Sequence, residues 1–200
     1  MRRRHKSNGS SKGSAKGSVL VIMGTPGSGK TTLAEALHRR MKNSNLISVN
    51  RVIRENKFFT SREKDGTLVA DMGKLKSYLR REARNNEGIL ILEGHLLCEI
   101  DIPGATAIVI REHLNTLEKR LIKRGYPWSK IRDNIISEAI DYSGSMARRN
   151  YKKVYEIIPG RNTLSIAERI ARGKSVKLPE HIDMLQELVP FMKNEKNPVV

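Results

Sequence analysis

The run Gly24-Thr25-Pro26-Gly27-Ser28-Gly29-Lys30-Thr31-Thr32 has the residue types and spacing to hold a chain of phosphates. Its glycines leave room for backbone N–H groups to turn inward and approach an anion with no Cβ in the way. An apolar run, Val19–Met23, leads into the loop and a helical pattern leaves it, so the positive end of a helix dipole faces the same anion. Lys30 then brings an ammonium to the β and γ oxygens, Thr31 offers a hydroxyl to Mg2+, and Thr32 reaches a further phosphate oxygen. The ligand this combination serves is ATP with Mg2+, and the group moved is a phosphoryl group.

A second set is Ile91-Leu92-Glu93-Gly94-His95. Glu93 closes an apolar run, the place from which a carboxylate holds Mg2+, often through water, in folds of this kind. His95, two residues on, is spaced to share its side and to position a water or a substrate hydroxyl. A solvated strand end and a turn-capping histidine are the plainer alternatives. Gly94 allows close approach of the nucleotide or an unusual backbone angle.

A third set, from Lys123 to Arg132, joins two helical patterns. A γ-phosphoryl group in flight needs cations that arrive with the substrate and exclude water. Arg124 beside Gly125 suits such a closing segment, with Arg132 a second candidate. A cation complementing the negative end of a helix explains Arg124 equally well. Arg111, Arg148 and Arg149 stand open between ligand contact and an ordinary basic surface. Trp128 reads as a packing anchor. Cys98, the lone cysteine, reads as a reduced, packed thiol, since no redox or metal-ligand spacing surrounds it.

The elements that must position these residues alternate. Strands are expected at Val19–Met23, Leu46–Val49, Ile89–Leu92, Ala105–Ile110 and Val154–Ile158. Helices are expected at Thr31–Met41, at Met72–Arg84 with Asp71 as N-cap, at Leu114–Arg124 closed by Gly125, and at Lys130–Tyr151 as one long helix. Ser165 and Glu168 have capping-box spacing for a short helix, and Pro179 opens a last amphipathic helix carrying Ile182, Leu185, Leu188 and Val189. Asn50–Asp71 is polar and irregular, anchored by Phe58 and Phe59. Strands separated by helices give an α/β fold, a parallel sheet with helices on both faces and functional loops at the strands' carboxyl ends.

The formal charge is +17 over 200 residues. Residues 1–18 hold six cations and no acid, and read as a disordered basic arm. The larger share of the charge lies on the folded body, which draws polyanions, RNA first among them. Aromatics are only 4%, so contact through phosphates is favoured over stacking of bases. No apolar run is long enough to span a bilayer or to form a signal-peptide core, and a cytoplasmic location without membrane contact is expected.

Taken together, GTPGSGKTT, LEGHL and RLIKRGYPWSKIRDNIISEAI resemble adenylate kinase isoenzyme 6, the ribosome-associated adenylate kinase family of archaea and eukaryotic nuclei. Glu93, where other members carry aspartate, places the resemblance on the archaeal side. It runs from about Val19 to Ile158. It implies a three-layer P-loop fold of nucleoside monophosphate kinase type, its five parallel strands in the order 2-3-1-4-5. It implies the reaction ATP + AMP ⇌ 2 ADP together with an ATPase used in small-subunit maturation and rRNA processing. It also implies a small-subunit platform ribosomal protein and rRNA as partners. Gly27, Gly29, Lys30, Thr31 and Thr32 match the ATP loop, Arg124 the lid arginine, and Glu93 and His95 the pair tied to Mg2+ and hydrolysis; Thr31 and Glu93 are then the metal side. Residues 49–72 correspond to the monophosphate-binding region, with Arg54 retained but Asn50-Arg51 where the family commonly has an aspartate. Residues 123–133 correspond to the lid, 19–172 to the kinase domain, and 173–200 form a C-terminal helical extension. A nucleotide-switched assembly ATPase with little kinase activity, and an RNA 5′-kinase, are the alternative readings.

Overall fold

The computed structural model describes residues 17–63, 66–179 and 181–194. Residues 1–16, which make up nearly all of the expected basic arm, lie outside the described residues, as do 195–200. The elements in chain order are β1 (Ser18–Met23), α1 (Lys30–Arg40), β2 (Ser44–Ser48), α2 (Val49–Glu55), β3 (Phe59–Arg62), β4 (Leu68–Ala70), α3 (Met72–Asn85), β5 (Ile89–Glu93), β6 (Thr106–Ile110), α4 (Leu114–Lys123), α5 (Trp128–Ala139), α6 (Tyr142–Asn150), β7 (Lys153–Ile157), α7 (Thr163–Ala171) and α8 (Leu185–Asn194), with a 3₁₀ turn at His95–Glu99. Five strands form one parallel sheet in the order β2-β5-β1-β6-β7.

β1 sits in the middle and is apolar throughout after Ser18 because both of its faces are covered. Val19, Val21 and Met23 point into one core with Leu75 and Leu79 of α3 and Leu97 of the 3₁₀ turn. Leu20 and Ile22 point into the other with Leu33 and Leu37 of α1 and Ile170 of α7. That alternation gives a helix–sheet–helix sandwich, with the loops after β1, β5 and β6 at one edge. A third apolar cluster joins Leu117 and Leu121 of α4, Ile131 and Ile135 of α5 and Phe191 of α8. It forms a helical shoulder beside that edge.

Several expectations are revised. The long helix at 130–151 is two, α5 and α6. Asp141 between them adopts the left-handed conformation (φ 54°), and its carboxylate accepts from Gly144 N and from Arg111 and Arg148. Ionic attraction to two arginines holds a backbone that helix periodicity cannot foresee. The polar stretch after β2 is ordered as α2 and an antiparallel β3–β4 hairpin. Ser18 belongs to β1, so the strand begins inside the segment read as arm. Ser165 and Glu168 form no capping box. Asn162 is the N-cap of α7, and Glu168 instead pairs with Arg40 and Arg172. The last helix starts at Leu185 rather than Pro179, and Ile182 lies in the segment before it. Asp71 does cap α3, accepting from Lys74 N at 3.0 Å.

Candidate active site

The phosphate-binding loop leaves the carboxyl end of β1, and β5 ends alongside it, with Ile22 and Glu93 in register. Gly29 is the N-cap of α1 at φ +102°, a conformation that leaves residues with a Cβ strained. Lys30 follows it and is buried, its ammonium donating to the Thr25 carbonyl at 2.9 Å. Thr31 Oγ1 donates to Glu93 Oε1 at 2.8 Å. Hydroxyl and carboxylate are both hard oxygen donors, so this pair fits a Mg2+ ion held jointly with phosphate oxygens. Another group of possible ligands, Asp141, Glu156 and His181, converges elsewhere among the described residues, but Arg111 and Arg148 already pair with its two carboxylates.

Gly27, Gly29, Lys30, Thr31, Thr32, Glu93, His95 and Arg124 all line one cavity of about 140 Å³, with Pro26, Asn50 and Tyr126. The eight singled out in the sequence are therefore brought together. Arg124 is the C-cap of α4 and has no carboxylate partner among the described residues, so its guanidinium is available to an anion in that cavity. Arg132 and Arg149 are exposed and line no part of it. Arg111 is a structural cation: at 1% exposure it donates to Glu138 Oε1 at 2.9 Å, Asp141 Oδ1 at 2.7 Å and Glu156 Oε2 at 3.1 Å. Arg148 reinforces the same group through Asp141 and Glu156. Trp128 stacks on Phe191 with ring centroids 5.8 Å apart, the anchoring contact its type implied. Gly94 makes room for α2: a Cβ there would stand 2.6 Å from Cβ of Val49.

A second cavity of about 960 Å³ adjoins the first and shares Pro26, Asn50, His95 and Tyr126 with it. Arg54 of α2, Arg62 of β3, Asn134 and Ser137 of α5, and Glu99 and Tyr142 also face it. Tyr126 is the residue that sequence reasoning missed at this junction. Its only signal is its place two residues after Arg124. Asn50, noted only as a departure from a family pattern, lies on the same boundary.

Burial sets the charge states. Desolvation lowers the Lys30 ammonium to about 8, against the opposing pull of Glu93, with Arg124 lowering it further. Burial, with the nearby charges of Lys30 and Lys130, lowers His95 to about 4, so its ring is neutral at neutral pH. Burial pushes the Cys98 thiol up to about 11, in keeping with a packed and unreactive group. Only protonated Lys30 attracts phosphate. Apparent affinity for a fluorescent ATP analogue is therefore expected to be level at neutral pH and to fall as pH rises past about 8. His95 does not titrate in that range. An affinity unchanged well into the alkaline range would remove Lys30 as the phosphate cation.

The family model described as "AAA domain" matches residues 20–141. A protein of Methanosarcina barkeri named "Putative adenylate kinase" is 33% identical over 186 residues, covering 86% of this chain and 100% of the relative. One of the same name from Methanothermobacter thermautotrophicus is 35% identical over 173 residues, covering 82% and 96%. Among solved structures, shikimate kinase from Bacteroides thetaiotaomicron superposes with a TM-score of 0.53 at 18% identity, covering 78% of this chain and 96% of that one. The Deinococcus radiodurans tunicamycin resistance protein gives a TM-score of 0.52 at 19% identity, with 82% and 99% covered. At such identities the two structures speak for the shared P-loop kinase-type fold alone.

Proposed function

The chain belongs to the adenylate-kinase-like family of these archaeal relatives, and from that premise we propose that it transfers the γ-phosphoryl group of Mg·ATP to AMP, giving two ADP. The observation that carries this reading is the meeting of two cavities at Pro26, Asn50, His95 and Tyr126. One is lined by the groups that suit a triphosphate, Lys30, Thr31, Glu93 and Arg124. The other offers Arg54 and Arg62 to the phosphate of an acceptor. A donor in the first and an acceptor in the second meet end to end, as in-line displacement at phosphorus requires.

Lys30 and the loop amides hold the β and γ phosphates, and Arg124 neutralises charge spreading over the group in transfer. Thr31 and Glu93 would hold Mg2+, which when bound neutralises charge across the phosphate oxygens. Tyr126, which lines both cavities, and Arg124, which lines the first, are placed to keep water from the γ-phosphorus. Neutral His95 offers a ring nitrogen at the junction, where it orients an acceptor or, with the acceptor absent, a water. That second role supplies the ATPase activity expected of the isoenzyme 6 branch. His95→Ala is expected to lower ATP hydrolysis at least tenfold while lowering AMP-dependent transfer by less than about threefold. Equal losses in the two assays would remove the water-orienting role.

Coupled measurement of ADP formed from ATP with and without AMP tests the main reading. AMP is expected to raise turnover well above the ATPase background, and no AMP-dependent increment would overturn the kinase. We further place the activity in the cytoplasm and in small-subunit maturation, with rRNA and a platform ribosomal protein as partners. The positive charge of the body supports this, as do the exposed Lys74, Arg81 and Arg84 of α3, whose neighbours Lys76 and Arg80 are half-buried and paired with Asp101. Stimulation of ATP hydrolysis by rRNA beyond that by AMP would instead favour the assembly-ATPase reading, and labelled phosphate on RNA ends the 5′-kinase reading. No described helix is long and apolar enough to cross a membrane.

A further inference from the structure

Glu138 lies near the end of α5, 1% exposed, beneath the phosphate-binding loop. Its carboxylate accepts from Thr25 Oγ1 on one oxygen, and from Arg111 Nε at 2.9 Å and Glu112 N at 3.0 Å on the other. Thr25 is itself 3% exposed and is the second residue of the loop. Its carbonyl accepts Lys30 Nζ at 2.9 Å and Ser28 N at 3.1 Å. A continuous line therefore runs from the carboxylate on α5, through the side chain and then the carbonyl of one threonine, to the ammonium in the cradle.

Three features make that line stiff. A hydrogen bond to a buried, ionised acceptor is stronger than a neutral one and holds the threonine in one rotamer. The following Pro26 restricts the backbone of Thr25 to extended conformations, so the carbonyl has little freedom to swing. The acceptor is itself immobilised, because Arg111 and the Glu112 amide occupy its other oxygen. On the α4 side, Arg120 donates to the Gly27 carbonyl at 3.1 Å and to Glu112 at 2.7 Å, so the loop is held from both helices that flank the closing segment.

We propose that Glu138 is a positioning residue for the phosphate-binding cation: acting through Thr25, it sets where the Lys30 ammonium stands. The proposal rests on the reading of the loop as an ATP site, not on the identity of the acceptor. It separates cleanly from a packing role. Valine in place of Thr25 keeps the shape and loses the hydroxyl, whereas serine keeps the hydroxyl and loses the methyl.

The experiment measures affinity for a fluorescent ATP analogue with Mg2+, in the full chain carrying Thr25→Val or Thr25→Ser, each with Lys30 present and with Lys30→Met. With Lys30 present, Thr25→Val is expected to weaken binding about fivefold and Thr25→Ser less than about twofold. With Lys30→Met, Thr25→Val is expected to add less than about twofold, because the group it positions is gone. Glu138→Gln should weaken binding in the same direction and add nothing on top of Thr25→Val. The Thr25 pair carries the test by itself if Glu138→Gln does not fold. An equal cost in both Lys30 backgrounds, no cost at all, or a loss that follows the methyl would each overturn the proposal. A wild-type protein that binds Mg·ATP yet gives no AMP-dependent ADP would overturn the acceptor assignment alone and leave this cycle to be read on its own terms.

Discussion

Lys30→Ala is expected to lower AMP-dependent transfer and ATP hydrolysis together, by on the order of 10³-fold, because it removes a preorganised charge aimed at developing negative charge. Both reactions pass through the same γ-phosphorus, so one deletion must reach both. The fold should survive. Among the described residues Lys30 makes one side-chain hydrogen bond, to the Thr25 carbonyl, and its burial already pulls the ammonium down to about 8. Taking a desolvated charge away removes a cost as well as a bond, so the melting temperature is expected to hold or to rise slightly. Lys30→Arg should not rescue, since a planar fork cannot stand where a compact ammonium fits. Initial rates from coupled ADP detection, read beside a thermal melt, check both halves. Residual turnover above a tenth of wild type would show that the cation is not where the chemistry happens.

The second large effect is on stability. Arg111→Met is expected to cost about 3–5 kcal/mol, because it strands Glu138, Asp141 and Glu156, all nearly fully buried, around a lost cation. For a chain of this size that is a fall in melting temperature on the order of 10 °C. Arg148→Met, at a site whose side chain is 39% exposed, should cost much less even though it touches two of the same carboxylates. Urea melts of the two variants beside wild type at neutral pH measure the difference. Equal, small losses from the two arginines would show that the group is solvated rather than buried.

The contrast between these two cations marks what the sequence made legible. Lys30 could be placed because its role is local: a glycine loop, a strand before it and a helix after it lie within one short stretch. Glu93, His95 and Arg124 were reached from strand-end and helix-end positions, and the sheet brings them to one cavity. Arg111 stood open between ligand and surface, because what decides it are carboxylates 27, 30 and 45 residues away. Glu138 gave no signal for the same reason, as its hydroxyl partner lies 113 residues back. The division of the expected long helix had the same cause. Apolar periodicity runs across Asp141, and its left-handed turn is held by the capping bond from Gly144 N together with the two arginines. The β3–β4 hairpin escaped notice because its strands are only four and three residues long, too short to show a period of two.

The Arg111 group is completed by main chain from far downstream. Ile182, 71 residues on, supplies a carbonyl to Arg111 and an amide to Glu156, and Glu187, 73 residues beyond Leu114, accepts the first amide of α4. A chain emerging from the ribosome therefore cannot complete the hydrogen bonds of this group until the segment around Ile182 is free. The sheet can assemble early, but the shoulder that carries Arg124 must wait for this late closure, across a long span of connecting chain. Synthesis halted shortly before Ile182 would release a molecule with its nucleotide loop spelled out and the helices that brace it still unlatched.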